Sequence, residues 1–302
     1  MKGKILVPLD GSELAEKAVP LALAVATRSG LPVALLHVHF PVPALWSSGI
    51  PAESYRWEFE TREAADAYMA EAQRRIEEAL RERVSAGVRT GDVAAELVAE
   101  IGEDVGLVVM TSQGHSGVRG VLLGSTARKV VHDARIPVVL LGGGVGGWAG
   151  PEGVRIASIM VALDGSAGAD AVLKPVLDLA RWFGAGVHLA GVVPVGVGFG
   201  YPSVPHGAVL EGGALEERLR GHLKAKSAEL EAEGLAVTHQ MLRDDDVTGA
   251  LVRAARECAA DLIAMSTHAR GPALRVLLGS VAAGVLKESP VPVLMLRPER
   301  FD

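Results

Sequence analysis

Two short polar stretches of this chain carry residue types suited to holding a phosphorylated ligand, and both stretches occur twice. Asp10-Gly11-Ser12 follows an apolar run. An aspartate carboxylate at such a position can accept a hydrogen bond from a ribose hydroxyl or an adenine amino group. In the alternative, Asp10 only opens a turn and Ser12 caps the following helix. The residue types alone leave both interpretations open.

The second stretch is the glycine-rich segment TSQGHSGVRGVLLGSTARKV at 111–130. Its glycines allow backbone N–H groups to approach a ligand without interference from a Cβ atom. Gly124, Ser125 and Thr126 then begin a predicted helix, whose free N–H groups and dipole favour an anion. Together these features predict a phosphate-binding loop.

The elements that must position these residues are also written twice, in the same order. Three blocks show the repeat: ILVPLDGS (5–12) returns as IMVALDGS (159–166), LLGSTARKVV (122–131) as LLGSVAAGVL (277–286), and IPVVLL (136–141) as VPVLML (291–296). The chain therefore predicts two tandem domains, 1–144 and 153–302, joined by a Gly-rich linker at 142–153.

Within each copy, short β-branched runs alternate with longer helical patterns. The strands predicted in the first copy are 4–9, 32–39, 83–89, 106–111 and 137–141. The helices predicted there are 13–29, 58–81, 92–103 and 125–134, with Ser12 and Asp92 at N-cap positions. The nearly continuous apolar strands favour a parallel sheet covered on both faces. We expect an α/β fold of two tandem, doubly wound, five-stranded Rossmann-like sheets with helices on both faces.

In such a sheet, ligands bind outside the carboxyl ends of the strands, where the strand order reverses. Both polar stretches directly follow predicted strands, so we expect them to meet at this edge. A long loop at 41–57 follows the second strand, and its counterpart at 194–214 is rich in Gly and Pro. Loops of this length at a strand's carboxyl end are often lids over a site.

Beyond these features, the chain resembles the universal stress protein family over both halves. Members of that family that bind ATP carry Gly-x-x-Gly, nine residues and then Gly-Ser or Gly-Thr after the fourth strand, with an aspartate at the end of the first. Here Thr111-x-x-Gly114 is followed after nine residues by Gly124-Ser125. The second copy reads Ser266-x-x-Ala269, nine residues and then Gly279-Ser280. The first half departs from the pattern at one glycine, and the second half at both leading glycines.

The resemblance implies an adenine-nucleotide site in the first half, for ATP alone or with Mg²⁺. Its residues would be Pro8, Leu9, Asp10, Val38, Met110, Thr111, Gly114, Gly124, Ser125 and Thr126. The counterparts in a second, weaker site would be Leu163, Asp164, Val192, Met265, Ser266, Gly279 and Ser280. Ala269 places a methyl group where the backbone must approach phosphate or adopt a positive φ, so we expect the second site to bind weakly or not at all.

The resemblance also implies a stress-response protein in which nucleotide binding changes the surface shown to a partner. A slow ATPase or another phosphoryl-transfer enzyme is one alternative, and a scaffold without nucleotide is another. Efficient phosphoryl transfer needs a metal, a positioned nucleophile and charge neutralisation. Arg119, Arg128 and Lys129 could offset charge, but no acidic residue is identified as a base. We therefore expect at most weak ATPase activity.

The histidines leave two further questions open. His37 and His39 lie on the same side of the predicted second strand, but no clear third ligand for a metal accompanies them. His115 and His268 lie in the two phosphate-binding loops, where each either contacts phosphate or faces solvent.

Two remaining patterns favour structural roles. GGGVGG at 142–147 matches G-x-G-x-x-G, but it does not open a helix as a dinucleotide-binding turn must. The chain also has no Walker A motif. The acidic run Asp244-Asp245-Asp246 precedes a predicted helix, where negative charge complements the helix dipole, so we expect it to act as a cap.

Composition limits the class of partner. The net charge of −6, without clustered Lys and Arg, argues against a nucleic-acid partner. No apolar run is long enough to predict a membrane span. Cys258 is the single cysteine, which excludes an intramolecular disulfide and fits a cytoplasmic protein.

The resemblance finally implies how the last strands are used. Family members commonly dimerise by pairing these strands. Residues 137–141 and 292–296 could pair within this chain as a pseudo-dimer, so that neither strand is left as an exposed apolar edge. A homodimer of the whole chain stays open as well.

Overall fold

The computed structural model describes ten stretches of the chain, which are residues 1–40, 61–80, 83–102, 104–113, 123–142, 145, 148, 150–195, 212–267 and 278–298. The chain forms two compact units, Met1–Val154 and Arg155–Asp302. Several predicted features lie outside the described residues, namely the loop 41–57, most of its counterpart 194–214, Gly114, His115, Arg119, His268 and Ala269.

The first unit is a parallel sheet with the strand order β3-β2-β1-β4-β5. Its strands are β1 (Lys4–Pro8), β2 (Val33–His39), β3 (Val84–Thr90), β4 (Val105–Thr111) and β5 (Val138–Leu141). Its helices are α1 (Glu13–Glu16), α2 (Val19–Ser29), α3 (Arg62–Leu80), α4 (Val93–Glu100) and α5 (Ser125–Asp133), followed by a 3₁₀ turn at Pro151–Gly153.

The second unit repeats this order as β10-β9-β6-β7-β8, again parallel. Its strands are β6 (Ser158–Ala162), β7 (Gly186–Val193), β8 (Val237–Arg243), β9 (Leu262–Ser266) and β10 (Val293–Leu296). Its helices are α6 (Ala167–Asp170), α7 (Leu173–Phe183), α8 (Gly212–Ala232), α9 (Val247–Glu257) and α10 (Ser280–Glu288). The predicted fold of two tandem, doubly wound parallel sheets is confirmed.

The central strands are buried as a covered parallel sheet requires. Residues 5–7 of β1 and 107–109 of β4 are 0% exposed. The outer strand β3 alternates between buried or partly buried and exposed positions instead. The apolar core thus lies around β1 and β4, the two strands whose ends carry the predicted site.

The predicted helix 13–29 is wrong in one respect, because the structure divides it into α1 and α2. At the end of α1, the N–H of Lys17 bonds to Leu14 O at 3.2 Å and that of Ala18 to Ala15 O at 3.1 Å. These i→i+3 bonds tighten the turn in the manner of a 3₁₀ helix. Pro20 then lies in the first turn of α2, where its missing N–H has no helical partner to lose.

The predicted helix caps are confirmed at three places. Ser12 Oγ accepts a hydrogen bond from Ala15 N–H at 3.1 Å. Asp92 Oδ1 accepts one from Ala95 N–H at 2.8 Å, and Asp246 Oδ1 accepts one from Gly249 N–H at 2.9 Å. Side-chain caps of this kind satisfy N–H groups that the first turn of a helix leaves without a partner.

No helix in the described ranges is both long enough and apolar enough to cross a membrane.

Candidate functional site

In the first unit, the direction of the strand order reverses between β1 and β4. The two strands are neighbours, with Leu6 paired to Val108. The chain nevertheless leaves β1 towards β2 and leaves β4 towards β5, on opposite sides. Ligands of open α/β sheets bind at such a reversal of strand order. The residues that follow β1 and β4 are therefore the ones with access to a ligand.

At this edge β2 extends beyond β1. Their ladder ends with the pair Pro8–Leu36 and a bond from Leu9 N–H to Leu36 O at 2.9 Å, whereas β2 continues through Val38 beside β3. Alternate residues of a strand direct their backbone groups to the same side. Val38 therefore directs its N–H and C=O towards the β1 side, as Leu36 does. A flat heterocycle with a donor and an acceptor on one edge, such as adenine, matches that pair of groups.

The turn after β1 is built around Asp10. Its Oδ1 atom accepts hydrogen bonds from Ser12 N–H at 3.0 Å and Ser12 Oγ at 2.6 Å. Gly11 has φ 86°, a left-handed conformation that glycine adopts without steric cost. The structural interpretation of this stretch is confirmed as an Asx turn that leads into the Ser12 cap.

The end of β4 is bonded to two described residues of the glycine-rich segment, Gln113 and Gly124. Thr111 is 7% exposed, and its hydroxyl donates to Gln113 O at 2.7 Å, so the hydroxyl hydrogen goes to the loop itself. Ser112 N–H donates to Leu141 O, and Ser112 O accepts from Gly124 N–H, both at 2.8 Å. Gly124 is thereby fixed beside the last residues of β4.

Helix α5 begins at this bond. Gly124 is its N-cap and offers no side chain as a hydrogen-bond acceptor. The Gly124 carbonyl accepts from Arg128 N–H at 3.0 Å, so the helical ladder starts there. Ser125 is exposed and Thr126 is partly exposed. A first turn without a side-chain cap presents N–H groups and the positive end of the helix dipole, which suit a phosphate.

Two cations lie on the same helix. The Arg128 guanidinium contacts Leu123 O at 3.4 Å, which keeps it near the start of α5. Lys129 Nζ lies 3.5 Å from the carboxylate of Asp92, the N-cap of α4. Arg128 thus lies near the start of α5, whereas Lys129 is directed to Asp92.

The second unit repeats the framework. Asp164 Oδ1 accepts from Ser166 N–H at 3.0 Å and from Ser166 Oγ at 2.6 Å, with Gly165 at φ 80°. Leu163 N–H donates to Ala190 O at 2.9 Å, and β7 continues through Val192. Met265 and Ser266 end β9 as buried residues, and Gly279 is the N-cap of α10, with Ser280 exposed after it.

The start of α10 nevertheless differs from that of α5 in its side chains. Val281, Ala283 and Gly284 stand where the first unit has Thr126, Arg128 and Lys129. A Cβ atom on Gly284 would lie 2.7 Å from Thr248 Cγ2 and 2.8 Å from Thr248 Oγ1, so any side chain there would require Thr248 to shift. These three exchanges are visible in the repeated sequence blocks and are separate from the Ala269 exchange.

The two units also differ beside their first strands. His37 is 6% exposed, and its Nδ1 lies 2.8 Å from Leu9 O. A carbonyl oxygen only accepts, so Nδ1 carries the hydrogen. The second unit has Gly191 at this position, where a Cβ atom would lie 2.9 Å from Leu219 Cδ2 and 3.2 Å from Leu163 O. A leucine of α8 thus fills the space above Gly191.

His37 and His39 were candidates for a metal site. One ring nitrogen of His37 is used on the Leu9 carbonyl. Within the described residues, no group of three or more His, Cys, Asp or Glu side chains could hold a metal ion.

Comparison with known proteins gives consistent results over both halves. A model described as the universal stress protein family matches residues 1–142 and 156–297. A universal stress protein of Mycolicibacterium smegmatis is 26% identical over 305 residues, which cover 97% of each chain. One from Thermus aquaticus is 32% identical over 149 residues, covering 45% of this chain and 96% of its own. The crystal structure of a universal stress protein from Archaeoglobus fulgidus DSM 4304 matches with a TM-score of 0.71 at 23% identity, covering 98% of this chain and 96% of that one.

Proposed function

Because the chain belongs to the universal stress protein family, we propose that its first unit binds an adenine nucleotide, ATP foremost, at the crevice between β1 and β4. Binding changes the conformation of the segment after β4, and thereby the surface that the protein offers to a partner in a stress response. The protein works in the cytoplasm, where ATP is abundant and the single thiol of Cys258 stays reduced.

The observation that carries this proposal is the junction of β4 with α5. The bond from Gly124 N–H to Ser112 O places an uncapped helix start directly beside the strand end. Phosphates would bind at Gly124, Ser125 and Thr126, with Arg128 offsetting their charge. The ribose would lie near the Asp10 turn.

The remaining site residues border the base and the sugar. Pro8 ends β1 and Leu9 follows it, Met110 and Thr111 end β4, and Val38 lies on the part of β2 that continues past the end of β1. The backbone of Val38 would meet the adenine edge. Gly114 belongs to the proposed site through its spacing from Gly124 in the sequence.

We propose weaker binding, or none, for the second unit. Its turn and helix start are built alike, but α10 lacks the hydroxyl of Thr126 and both cations of α5. Ala269 adds a methyl group in the segment expected to approach phosphate. Loss of charge-assisted bonds lowers affinity for a polyanion more than for a nucleoside.

The first experiment identifies and counts the ligand. The purified protein is denatured, the released small molecules are chromatographed, and the emptied protein is titrated with ATP in the presence and absence of Mg²⁺. We expect about one adenine nucleotide per chain, since one site of two has the full set of groups. Two equal sites would contradict the asymmetry, and no binding would favour a scaffold without nucleotide.

A matched pair of variants assigns the site. Gly124 has φ −59°, which any residue adopts, so Gly124→Asp should fold while placing a carboxylate against the phosphates. Gly279→Asp makes the same change at φ −50° in the second unit. We expect binding to be lost in Gly124→Asp and retained in Gly279→Asp. Equal loss in both would place the nucleotide elsewhere.

Hydrolysis is tested on the same samples. Asp10→Asn keeps a side-chain oxygen for the Ser12 bonds but removes the charge, so it separates the turn from any chemistry. We expect turnover near background in both proteins. Steady turnover in the wild type, abolished in Asp10→Asn with binding retained, would favour the slow ATPase instead.

A further inference from the structure

His37 holds the peptide group that leads into the Asp10 turn. The Leu9 N–H donates to Leu36 O at 2.9 Å, and Leu9 O lies 2.8 Å from His37 Nδ1. Neighbouring residues of β2 thus bind both polar groups of Leu9, whose carbonyl carbon is bonded to the nitrogen of Asp10. His37 thus adds a side-chain bond to the backbone bond that ties this peptide group to β2.

The second unit shows that the fold does not need a polar group at this place. Equivalent hydrogen bonds show which residues of α3 and α8 correspond. Tyr68 of α3 bonds to Glu16 at 2.9 Å, and His222 of α8 bonds to Asp170 at 2.8 Å. In that alignment, fully buried Ala65 corresponds to Leu219. The first unit combines a histidine with a small alanine, and the second combines Gly191 with the larger Leu219.

An apolar solution to this packing problem is therefore present in the same chain. Burying an imidazole costs free energy that burying a leucine does not. The retention of His37 beside the better equipped of the two sites calls for a role that the packing does not supply.

We propose that His37 is a positioning residue for the first site. Its neutral ring holds the Leu9–Asp10 peptide where a nucleotide can use it, so that nucleotide binding weakens as the medium becomes acidic. This inference rests on the proposed adenine-nucleotide site.

The direction of the pH effect follows from the burial of the ring. Burial is the largest influence on His37 and lowers its pKa from the ordinary 6.5, and His39 on the same strand lowers it further. The Leu9 carbonyl, Asp10 and Asp66 of α3 act in the opposite direction.

Because the pKa of the packed ring is lowered, the packed arrangement holds fewer protons than one in which the ring is exposed. The packed form is unaffected above pH 6.5 and is destabilised as the pH falls from 6.5 through the lowered pKa of His37. Binding that needs the packed form weakens over the same range.

The test measures ATP affinity of the full chain at about pH 8 and about pH 5.5, on either side of the ordinary histidine pKa. Wild type is compared with His37→Gln, whose amide N–H donates to Leu9 O without titrating in this range. A second variant, His37→Gly combined with Ala65→Leu, installs the second unit's packing and removes the bond. The protonation of ATP itself changes with pH in the same way for all three proteins. It therefore cancels when their affinities are compared as ratios.

We expect wild-type affinity to fall more on acidification than that of His37→Gln, by up to about tenfold, because pH 5.5 lies about one unit below the ordinary histidine pKa. At about pH 8, His37→Gln should bind like wild type, whereas the double variant should bind about tenfold more weakly while unfolding at a similar temperature. Equal pH profiles of wild type and His37→Gln, or full affinity in the double variant, would overturn the role of His37 but not the proposed nucleotide site. No binding by wild type at either pH would overturn the proposed function and this inference with it.

Discussion

The starts of α5 and α10 have nearly the same backbone but differ in the groups they present. Gly124 and Gly279 are N-caps with φ −59° and −50°, and neither has a side-chain cap. Behind them the first unit has Arg128 and Lys129, where the second has Ala283 and Gly284. The shared backbone belongs to the fold, whereas we propose that the differing side chains decide whether an anion is held there.

The opposite, amino edge of the sheet teaches the same lesson about the fold. In the first unit, Gly106 of β4 lies against the backbone of Lys2. In the second unit, the corresponding Asp261 accepts hydrogen bonds from Ala157 N–H at 2.6 Å and Ser158 N–H at 3.1 Å. A close backbone approach and a carboxylate thus fix the start of the first strand in the two units.

The largest expected effect comes from a substitution at the amino edge of the first unit's sheet. A Cβ atom on Gly106 would overlap the carbonyl oxygen of Lys2, so Gly106→Ala should lower the free energy of unfolding by about 2–3 kcal/mol. Gly87→Ala is the control, because nothing lies within 4 Å of its added Cβ atom. Urea denaturation of both variants measures the difference. A loss no greater than in Gly87→Ala would show that the strand end shifts without cost.

The next effect concerns the charge at α5. Arg128→Ala should weaken ATP binding about tenfold by removing a charge-assisted contact, while leaving adenosine binding unchanged. The reciprocal variant, Val281→Thr with Ala283→Arg, should strengthen any binding by the second unit. Calorimetric titration with both ligands distinguishes the two sites. An equal change for ATP and adenosine would mean that Arg128 acts through the fold.

A smaller effect concerns the contact of α3 with α1. Tyr68 Oη donates to Glu16 at 2.9 Å, and burial together with Glu16 raises the pKa of the tyrosine well above its ordinary range. Tyr68→Phe should cost about 1 kcal/mol of unfolding free energy, the usual value of one hydrogen bond. Because its pKa is raised, the Tyr68 phenol stays protonated in this range. We therefore expect the cost of Tyr68→Phe to be the same at neutral and mildly alkaline pH. Formation of the Tyr68 phenolate at about pH 10 in the folded protein, followed by its ultraviolet absorbance, would contradict the raised pKa.

The smallest effect concerns the ion pair on the same carboxylate. Arg75 lies 3.1 Å from Glu16, but its side chain is 52% exposed. Arg75→Ala should therefore cost less than about 0.5 kcal/mol, as exposed ion pairs do. Lys226→Ala, which removes a 3.6 Å contact with Asp170 and a 2.8 Å ion pair with Glu229, is the comparable change in the second unit. A loss above 1 kcal/mol in thermal unfolding would indicate packing by the arginine stem.

Local patterns in the sequence predicted most of the fold. Apolar runs such as ILVP and LVVM give the buried strands, and the repeated blocks give two similar units. Ser12, Asp92 and Asp246 were predictable as caps because the bond of a cap joins residues three apart.

Contacts between distant residues could not be predicted in the same way. The exchange of His37 and Gly191 is visible in the repeat, but its partner Leu219 lies on another element. The close packing of Gly284 on Thr248 likewise depends on how two helices meet. At the candidate site, the positions of the strand ends could be predicted from the sequence. The bond from the Thr111 hydroxyl to Gln113 could not, because it depends on one side-chain rotamer.

The opposite sizes of residues 65 and 219 also bear on how the chain reaches its native state. Tandem domains of similar sequence are prone to exchange elements while they fold. A helix α8 docked on the wrong sheet would bring Leu219 into the space that His37 fills, and α3 on the other sheet would leave Ala65 above Gly191 with a void. Overpacking and cavities each cost on the order of 1–3 kcal/mol or more. A mismatched pairing of helix and sheet would therefore be less stable than the native one, because the sizes of residues 65 and 219 are matched to residues 37 and 191.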